Sequence, residues 1–330
     1  MRTKTLIATA GAAAVLLLAG CGAIDTGTGA GTDPDADATL PESCSEEQPF
    51  IAVALPNLTN PYYVAMQRGF EEAGEEAGFE VQVQIANDDD AQQLAQVQAM
   101  LEQQPCALAL NGVKSEPAAA IVAAANQAGV PVFTVNVGVD PESLESQGAS
   151  IMQYLGADNY AGGQQMAEMV LEDFGEEELN IGFVTEPDET PTVTRDQGFE
   201  DTITEGNPNA QIVASVDGNV QPDASLQATT EMLSGNPDIN VIFASTGPAT
   251  YGALQALGDR TDVALYGFCA SELTIEAPYA GCVAQEPESY GRQVIEQISG
   301  YLEGGTPEAE VLLPLKVFGV GETPAPGEVG

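Results

Sequence analysis

The 330-residue chain carries 8 Lys and Arg against 50 Asp and Glu, a formal net charge of −42, and has no His. A surface this acidic repels nucleic-acid phosphate and anionic lipid, so nucleic acid is excluded as a partner. Without His there can be no imidazole metal site, His general base or Ser-His-Asp triad, which argues against an enzyme and leaves no metal or cofactor to expect.

In chain order, Arg2 and Lys4 precede an apolar run from Leu6 to Ala19 that is too short to remain as a membrane span. The run ends in Leu18-Ala19-Gly20-Cys21, which resembles the bacterial lipobox, where the cysteine takes a thioether-linked diacylglycerol. An ordinary secretory signal with an incidental Cys21 is the alternative. Charge, apolar core and motif agree in order and spacing, and favour lipidation. Residues 1–20 are therefore expected to be a lipoprotein signal peptide. The Gly-, Thr- and Asp-rich stretch 21–45 is expected to be a lipidated flexible tether, because it cannot bury enough apolar surface to order itself. Removing Arg2 and Lys4 leaves 6 basic residues and a charge of −44. The expected location is extracytoplasmic, held to the cell membrane by the lipid alone.

From residue 50 the pattern alternates. An apolar strand over 50–55 leads into a helix whose apolar positions include Val64, Phe70 and Ala73. Period-two alternation predicts a strand over 79–85, and Asp90 starts a helix through Gln104. A strand over 107–110, a helix over 116–127 closed by Gly129, and a strand over 131–137 follow. The rhythm resumes with helices over 159–174, 194–205, 225–234 and 249–257, interleaved with strands over 179–185, 210–216, 240–245 and 263–268. Strands joined by helical crossovers imply α/β architecture with parallel sheets, and two such series imply two similar lobes. Ligands bind beyond the carboxyl ends of such strands, which places Asn60-Pro61-Tyr62-Tyr63, Asn136, Thr246 and Cys269 at binding-end positions.

Asn87-Asp88-Asp89-Asp90 reads as a loop with a helix N-cap rather than a calcium site, since no further oxygen ligands follow at a defined spacing. Gly162-Gly163 lacks the Lys and Ser/Thr of a phosphate loop. Cys269 has no basic neighbour in sequence to activate it as a nucleophile. With Cys21 assigned to the lipobox, four cysteines remain, an even number that in an oxidising compartment suggests two disulfides; buried free thiols are the alternative.

The segments resemble the type I (ribose and pentose type) periplasmic sugar-binding proteins of ABC importers, from about residue 50 to 318. The resemblance rests on Asn60-Pro61-Tyr62-Tyr63 with Gly69-Phe70, on residues 125–132 (Ala-Asn-Gln-Ala-Gly-Val-Pro-Val), and on Gly156-Ala157-Asp158-Asn159 with Gly162-Gly163. Arg195 with Gly198-Phe199, Asn236-Pro237-Asp238, Gly252-Ala253-Leu254, Gly267-Phe268 and Val283-Ala284-Gln285 complete the series.

It implies two doubly wound lobes, 46–156 plus 286–313 and 157–285 plus 314–330, joined by three hinge crossings near 155–158, 284–286 and 313–315. It also implies that Tyr62 and Tyr63 offer rings to a sugar face, that Asn60 offers a polar contact, and that Arg195 and Gln285 complete a ligand set with Asn136, Thr246 and Cys269. Where ribose binders carry Asp-Arg this chain has Asn136-Val137; for Asn-Asp it has Thr246-Gly247; for Gly-Phe-Asp it has Gly267-Phe268-Cys269; and Val220 stands for an aromatic. Such a cleft is less polar than a ribose site. Within these lobes Cys44 is expected to pair with Cys106, and Cys269 either pairs with Cys282 or lines the cleft. The implied protein is a monomeric receptor that captures a small, neutral, hydroxylated ligand by hinge closure and delivers it to an ABC permease. The alternative is a sensor of an autoinducer or nucleoside that presents its closed form to a signalling receptor.

Overall fold

The protein is described by a computed structural model over residues 42–45 and 47–330. Cys21, the signal peptide and the tether up to residue 41 lie outside the described residues. The elements run β1 (Phe50–Leu55), α1 (Pro61–Ala77), β2 (Glu80–Ile85), α2 (Asp90–Leu101), β3 (Ala107–Leu110), α3 (Ser115–Gln127), β4 (Val132–Val135), α4 (Pro141–Gln147) and β5 (Gln153–Ala157). Next come α5 (Asn159–Phe174), β6 (Leu179–Thr185), α6 (Thr190–Gly206), β7 (Ala210–Asp217), α7 (Pro222–Gly235), β8 (Val241–Ala244) and α8 (Gly247–Leu257). The series closes with β9 (Ala264–Phe268), β10 (Tyr279–Ala284), α9 (Pro287–Leu302), β11 (Glu310–Leu313) and β12 (Lys316–Gly319).

The central strands are short apolar runs buried on both faces, which is what a parallel sheet covered by helices on both sides demands. They form two six-stranded sheets, ordered β11-β5-β4-β3-β1-β2 and β12-β10-β9-β8-β6-β7. Every pairing is parallel except β10 with β12. Each sheet is one lobe with helices on both faces. The chain passes from one sheet to the other after β5, returns after β10, and passes again between β11 and β12.

Glycine lets the helices beside the hinge pack backbone to backbone. A Cβ on Gly69 of α1 would lie 2.1 Å from the Glu288 carbonyl of α9, and one on Gly163 of α5 would lie 2.0 Å from the Arg195 carbonyl of α6. A backbone carbonyl cannot yield as a flexible side chain can. Gly163→Ala is therefore expected to cost about 1–3 kcal/mol of stability by overpacking, read as a lowered midpoint in denaturant, and to displace Arg195 with it.

Several boundaries differ from the sequence-based expectation. Val64 is 46% exposed, because it stands about 200° round α1 from Met66, off the buried stripe of Met66, Phe70 and Ala73. α2 stops at Leu101 rather than Gln104, where Pro105 disfavours helical geometry for the residue before it and Gln104 takes φ 55°. α6 begins at Thr190, four residues ahead of the expected start, with Pro191 in its first turn. The end of the expected tether, Glu42–Ser45, is a 3-10 turn. Cys44 within it is joined to Cys106 with Cα atoms 5.2 Å apart, and Cys269 is joined to Cys282 at 5.0 Å.

Candidate functional site

Between the carboxyl ends of the two sheets lies a cavity of about 20 Å³ lined by Asn60, Tyr62, Tyr63, Asn136, Glu189, Pro191, Arg195, Val220, Thr246, Gln285 and Gly330. That is room for about one water molecule, so a ligand the size of a sugar can enter only with the lobes apart. The two lobes touch across the cleft and stand closer together than a sugar between them would allow.

The first-lobe wall is built by a chain of local hydrogen bonds. Asn57 Oδ1 accepts from the amides of Thr59 and Asn60, folding the loop after β1. Asn60 Oδ1 then caps α1 by accepting from the Tyr62 amide at 3.0 Å, with Pro61 in the first turn. The cap uses one lone pair of Asn60 Oδ1, so its second lone pair and its NH2 remain for the expected polar contact. Tyr62 and Tyr63 follow, 2% and 3% exposed, with rings edge to face at 5.4 Å. Both belong to the first-lobe core as well as the cavity wall. The rings that the resemblance offers to a sugar face are therefore also packing residues of the first lobe. Tyr63→Ala should therefore cost about 3–5 kcal/mol of stability in addition to any loss of binding, measured by denaturant unfolding.

Tyr62 Oη lies 3.0 Å from Asn136 Oδ1 and 3.1 Å from Gln285 Oε1. One hydroxyl proton serves one acceptor at a time, so the other amide is left with capacity for a ligand hydroxyl. Asn136 is held by Tyr154, whose hydroxyl donates to its carbonyl at 3.0 Å, and sits at φ 61°, a left-handed conformation Asn tolerates. Gln285 lies at the hinge end of β10 and is fixed by paired backbone hydrogen bonds with Val329.

Arg195 comes from the second lobe. It is 3% exposed, donates from Nε to Asn159 Oδ1 at 2.8 Å and from Nη1 to the Ser245 carbonyl at 2.7 Å, and stacks 3.7 Å over the Phe268 ring. No carboxylate pairs with it among the described residues. Burial pulls its pKa below the ordinary arginine value. Its remaining N–H groups are charge-assisted donors held ready at the cavity. Next to it Asp196 accepts from Thr185 Oγ1 at 2.5 Å and from Ser245 Oγ, and burial pushes its carboxyl up to about 6.

Thr246 lines the cavity but also caps α8, its Oγ1 accepting from the Ala249 amide at 3.1 Å. Val220 takes φ 48°, a conformation β-branched residues rarely adopt, at the place expected of an aromatic. Cys269 is absent from the lining: its sulfur is committed to the bond with Cys282 inside the second-lobe core, so the cleft-lining alternative does not describe it. Glu189, Pro191 and Gly330 line the cavity without having been foreseen. Pro191, the helix-start signal of α6, could have revealed that Glu189 stands at the strand-to-helix turn where ligands bind.

Closure is held by contacts from lobe to lobe. Lys114 Nζ pairs with Asp188 at 2.5 Å, the Thr190 amide donates to Ser115 Oγ at 2.9 Å, and Gln221 Nε2 donates to Asp88 Oδ2 at 2.9 Å. Asp88 also accepts from Asn57, and Asp89 caps α2, so the acidic loop serves the fold and the cleft rim.

A two-lobed cleft of this kind has known counterparts, and residues 51–306 match the model of the periplasmic binding protein domain. The chain belongs to the periplasmic binding protein family. A ribose import binding protein of Bacillus subtilis is 25% identical over 272 residues, covering 81% of this chain and 86% of that protein. A D-apiose import binding protein of Actinobacillus succinogenes is 26% identical over 263 residues, covering 78% and 83%. The crystal structure of a periplasmic solute-binding protein from Actinobacillus succinogenes with bound D-allose superposes with a TM-score of 0.75 at 25% identity, covering 82% of this chain and 98% of that one. The fold of this family member is type I: two parallel-sheet lobes that capture ligand by closing.

Proposed function

We propose that this protein is a lipid-anchored extracytoplasmic receptor that captures a small, neutral, hydroxylated, sugar-like ligand and hands it to an ABC permease, acting as a monomer and not as an enzyme. The observation that carries this reading is the interlobe cavity, where Tyr62 and Asn136 of the first lobe meet Arg195 of the second, with Gln285 at the hinge end of β10, and hydrogen-bonding capacity is left to spare. Donors and acceptors at close quarters, with tyrosine rings beside them, suit a polyol, whose hydroxyls both give and take hydrogen bonds. Ribose, D-apiose and D-allose in the names of the relatives support the same class. Ligand contacts from both lobes hold a closed form around the ligand, with the lobes slightly wider apart than here, and that form is the one a permease would recognise.

Native mass spectrometry of protein purified from cells grown on mixed sugars should show an added mass in the range of a pentose, hexose or cyclitol. Adducts of a different chemistry, such as a peptide, would contradict the reading. Anchoring rests on Cys21. The expressed protein should partition with membranes, and Cys21→Ala should release or misprocess it; a mature N-terminus at another residue would refute the anchor.

A further inference from the structure

Glu189 is 8% exposed, lines the cavity, and stands at the N-cap of α6 without capping it. Among the described residues no donor hydrogen-bonds its carboxylate: Arg195 gives its bonds to Asn159 and Ser245, and Lys114 is paired with Asp188. A buried carboxylate with no donor is unstable as an anion. We propose that Glu189 is the hydrogen-bond acceptor for the ligand in this cleft and selects a ligand that presents an O–H or N–H donor there. This rests on the cavity being the ligand site. It also makes empty closure unfavourable, because closing the lobes leaves the residue 8% exposed and gives its carboxylate no protein donor in return.

The groups around Glu189 fix the sign of the effect. Burial is the main cause that pushes its carboxyl up to about 8; Glu186 in the same loop and Asp88 from the opposite lobe push the same way, while Arg195 of α6 and Lys114 of the β3–α3 loop oppose them. Tyr63 of α1 faces it as well. In the open cleft the carboxyl is solvated and titrates near the ordinary value of about 4.3. The closed state therefore binds a proton that the open state does not, over the window from about 4.3 to about 8. Within that window the empty closed form loses ground as pH rises, by about tenfold per pH unit at the steepest. A ligand donor removes the penalty.

Two readouts on the purified protein test this. Small-angle scattering without ligand should show a radius of gyration that grows between about pH 5 and about pH 8 in the wild type and grows less in Glu189→Gln, whose amide carries no charge. Identical pH responses in the two proteins would overturn the gating role. Calorimetric titration with D-allose and myo-inositol as neutral probes, and D-glucosamine as an ammonium probe, reads the acceptor role. Any probe that binds the wild type should bind Glu189→Leu, whose side chain has no acceptor, about tenfold or more weakly at neutral pH. A loss confined to D-glucosamine identifies an ammonium donor; a loss shared with the neutral probes identifies a hydroxyl. Equal affinity for both proteins would overturn the acceptor role while leaving sugar binding intact. If no probe binds the wild type, the sugar-like reading fails, and the scattering comparison alone decides the role of Glu189.

Discussion

Arg195→Ala is expected to weaken ligand capture by about a hundredfold or more, corresponding to about 3 kcal/mol for the loss of charge-assisted donors in a dry site. The guanidinium is oriented from three sides, by Asn159, by the Ser245 carbonyl and by the Phe268 face, so its free N–H groups need little reorganisation to meet a ligand oxygen. Removing it also leaves Asn159 Oδ1 and the Ser245 carbonyl without their donor and opens space beside Phe268. Some loss of stability should therefore accompany the loss of binding. Arg195→Lys separates the two effects. A lysine keeps the charge but cannot reach Asn159 and Ser245 with a fixed fork, so it should recover stability more than affinity. Near-wild-type affinity in Arg195→Ala, by calorimetry, would remove Arg195 from the ligand site.

Reducing the disulfides is expected to have a comparable effect on the fold. Cys44 and Cys106 close a loop of 62 residues, for which chain entropy gives about 4 kcal/mol; Cys269 and Cys282 close 13 residues, for which it gives about 3 kcal/mol. Thiol counting on denatured, unreduced protein should find no reactive thiol among these four cysteines. The Cys44→Ser, Cys106→Ser protein should unfold at markedly lower denaturant than the wild type, with the second lobe still cooperative. Four titratable thiols in unreduced protein would contradict both bonds.

Physical causes separate what could be read in the sequence from what could not. β1, β3, β6 and α5 fall at the expected residues because each is an apolar run or amphipathic stripe bounded by sharp turn or cap signals. The expected elements stop at 268, although α9 carries Tyr290, Val294, Ile295 and Ile298 at helical spacing. α4, β11 and β12 are short and exposed, with no buried stripe to betray them. Among the site residues, Tyr62, Tyr63, Asn136, Arg195, Thr246 and Gln285 meet at one cavity, with Asn60 at its edge. Cys269 does not, because a side chain committed to a disulfide in the core cannot also face the cleft. Glu189 was hidden by a helix start placed four residues late. The charges around it also include Asp88 and Lys114 of the opposite lobe, a juxtaposition that the sequence does not display.

The most direct test of the interlobe cavity as a sugar-like ligand site is a thermal-shift comparison of wild type and Arg195→Ala against a panel of pentoses, hexoses and cyclitols that includes D-ribose, D-apiose, D-allose and myo-inositol. Ligand that binds only the folded state raises the melting temperature by mass action. At least one compound should raise the wild-type melting temperature in a concentration-dependent way, with the shift abolished in Arg195→Ala. A shift that survives unchanged in Arg195→Ala, or no shift from any compound in the wild type, would contradict the assignment.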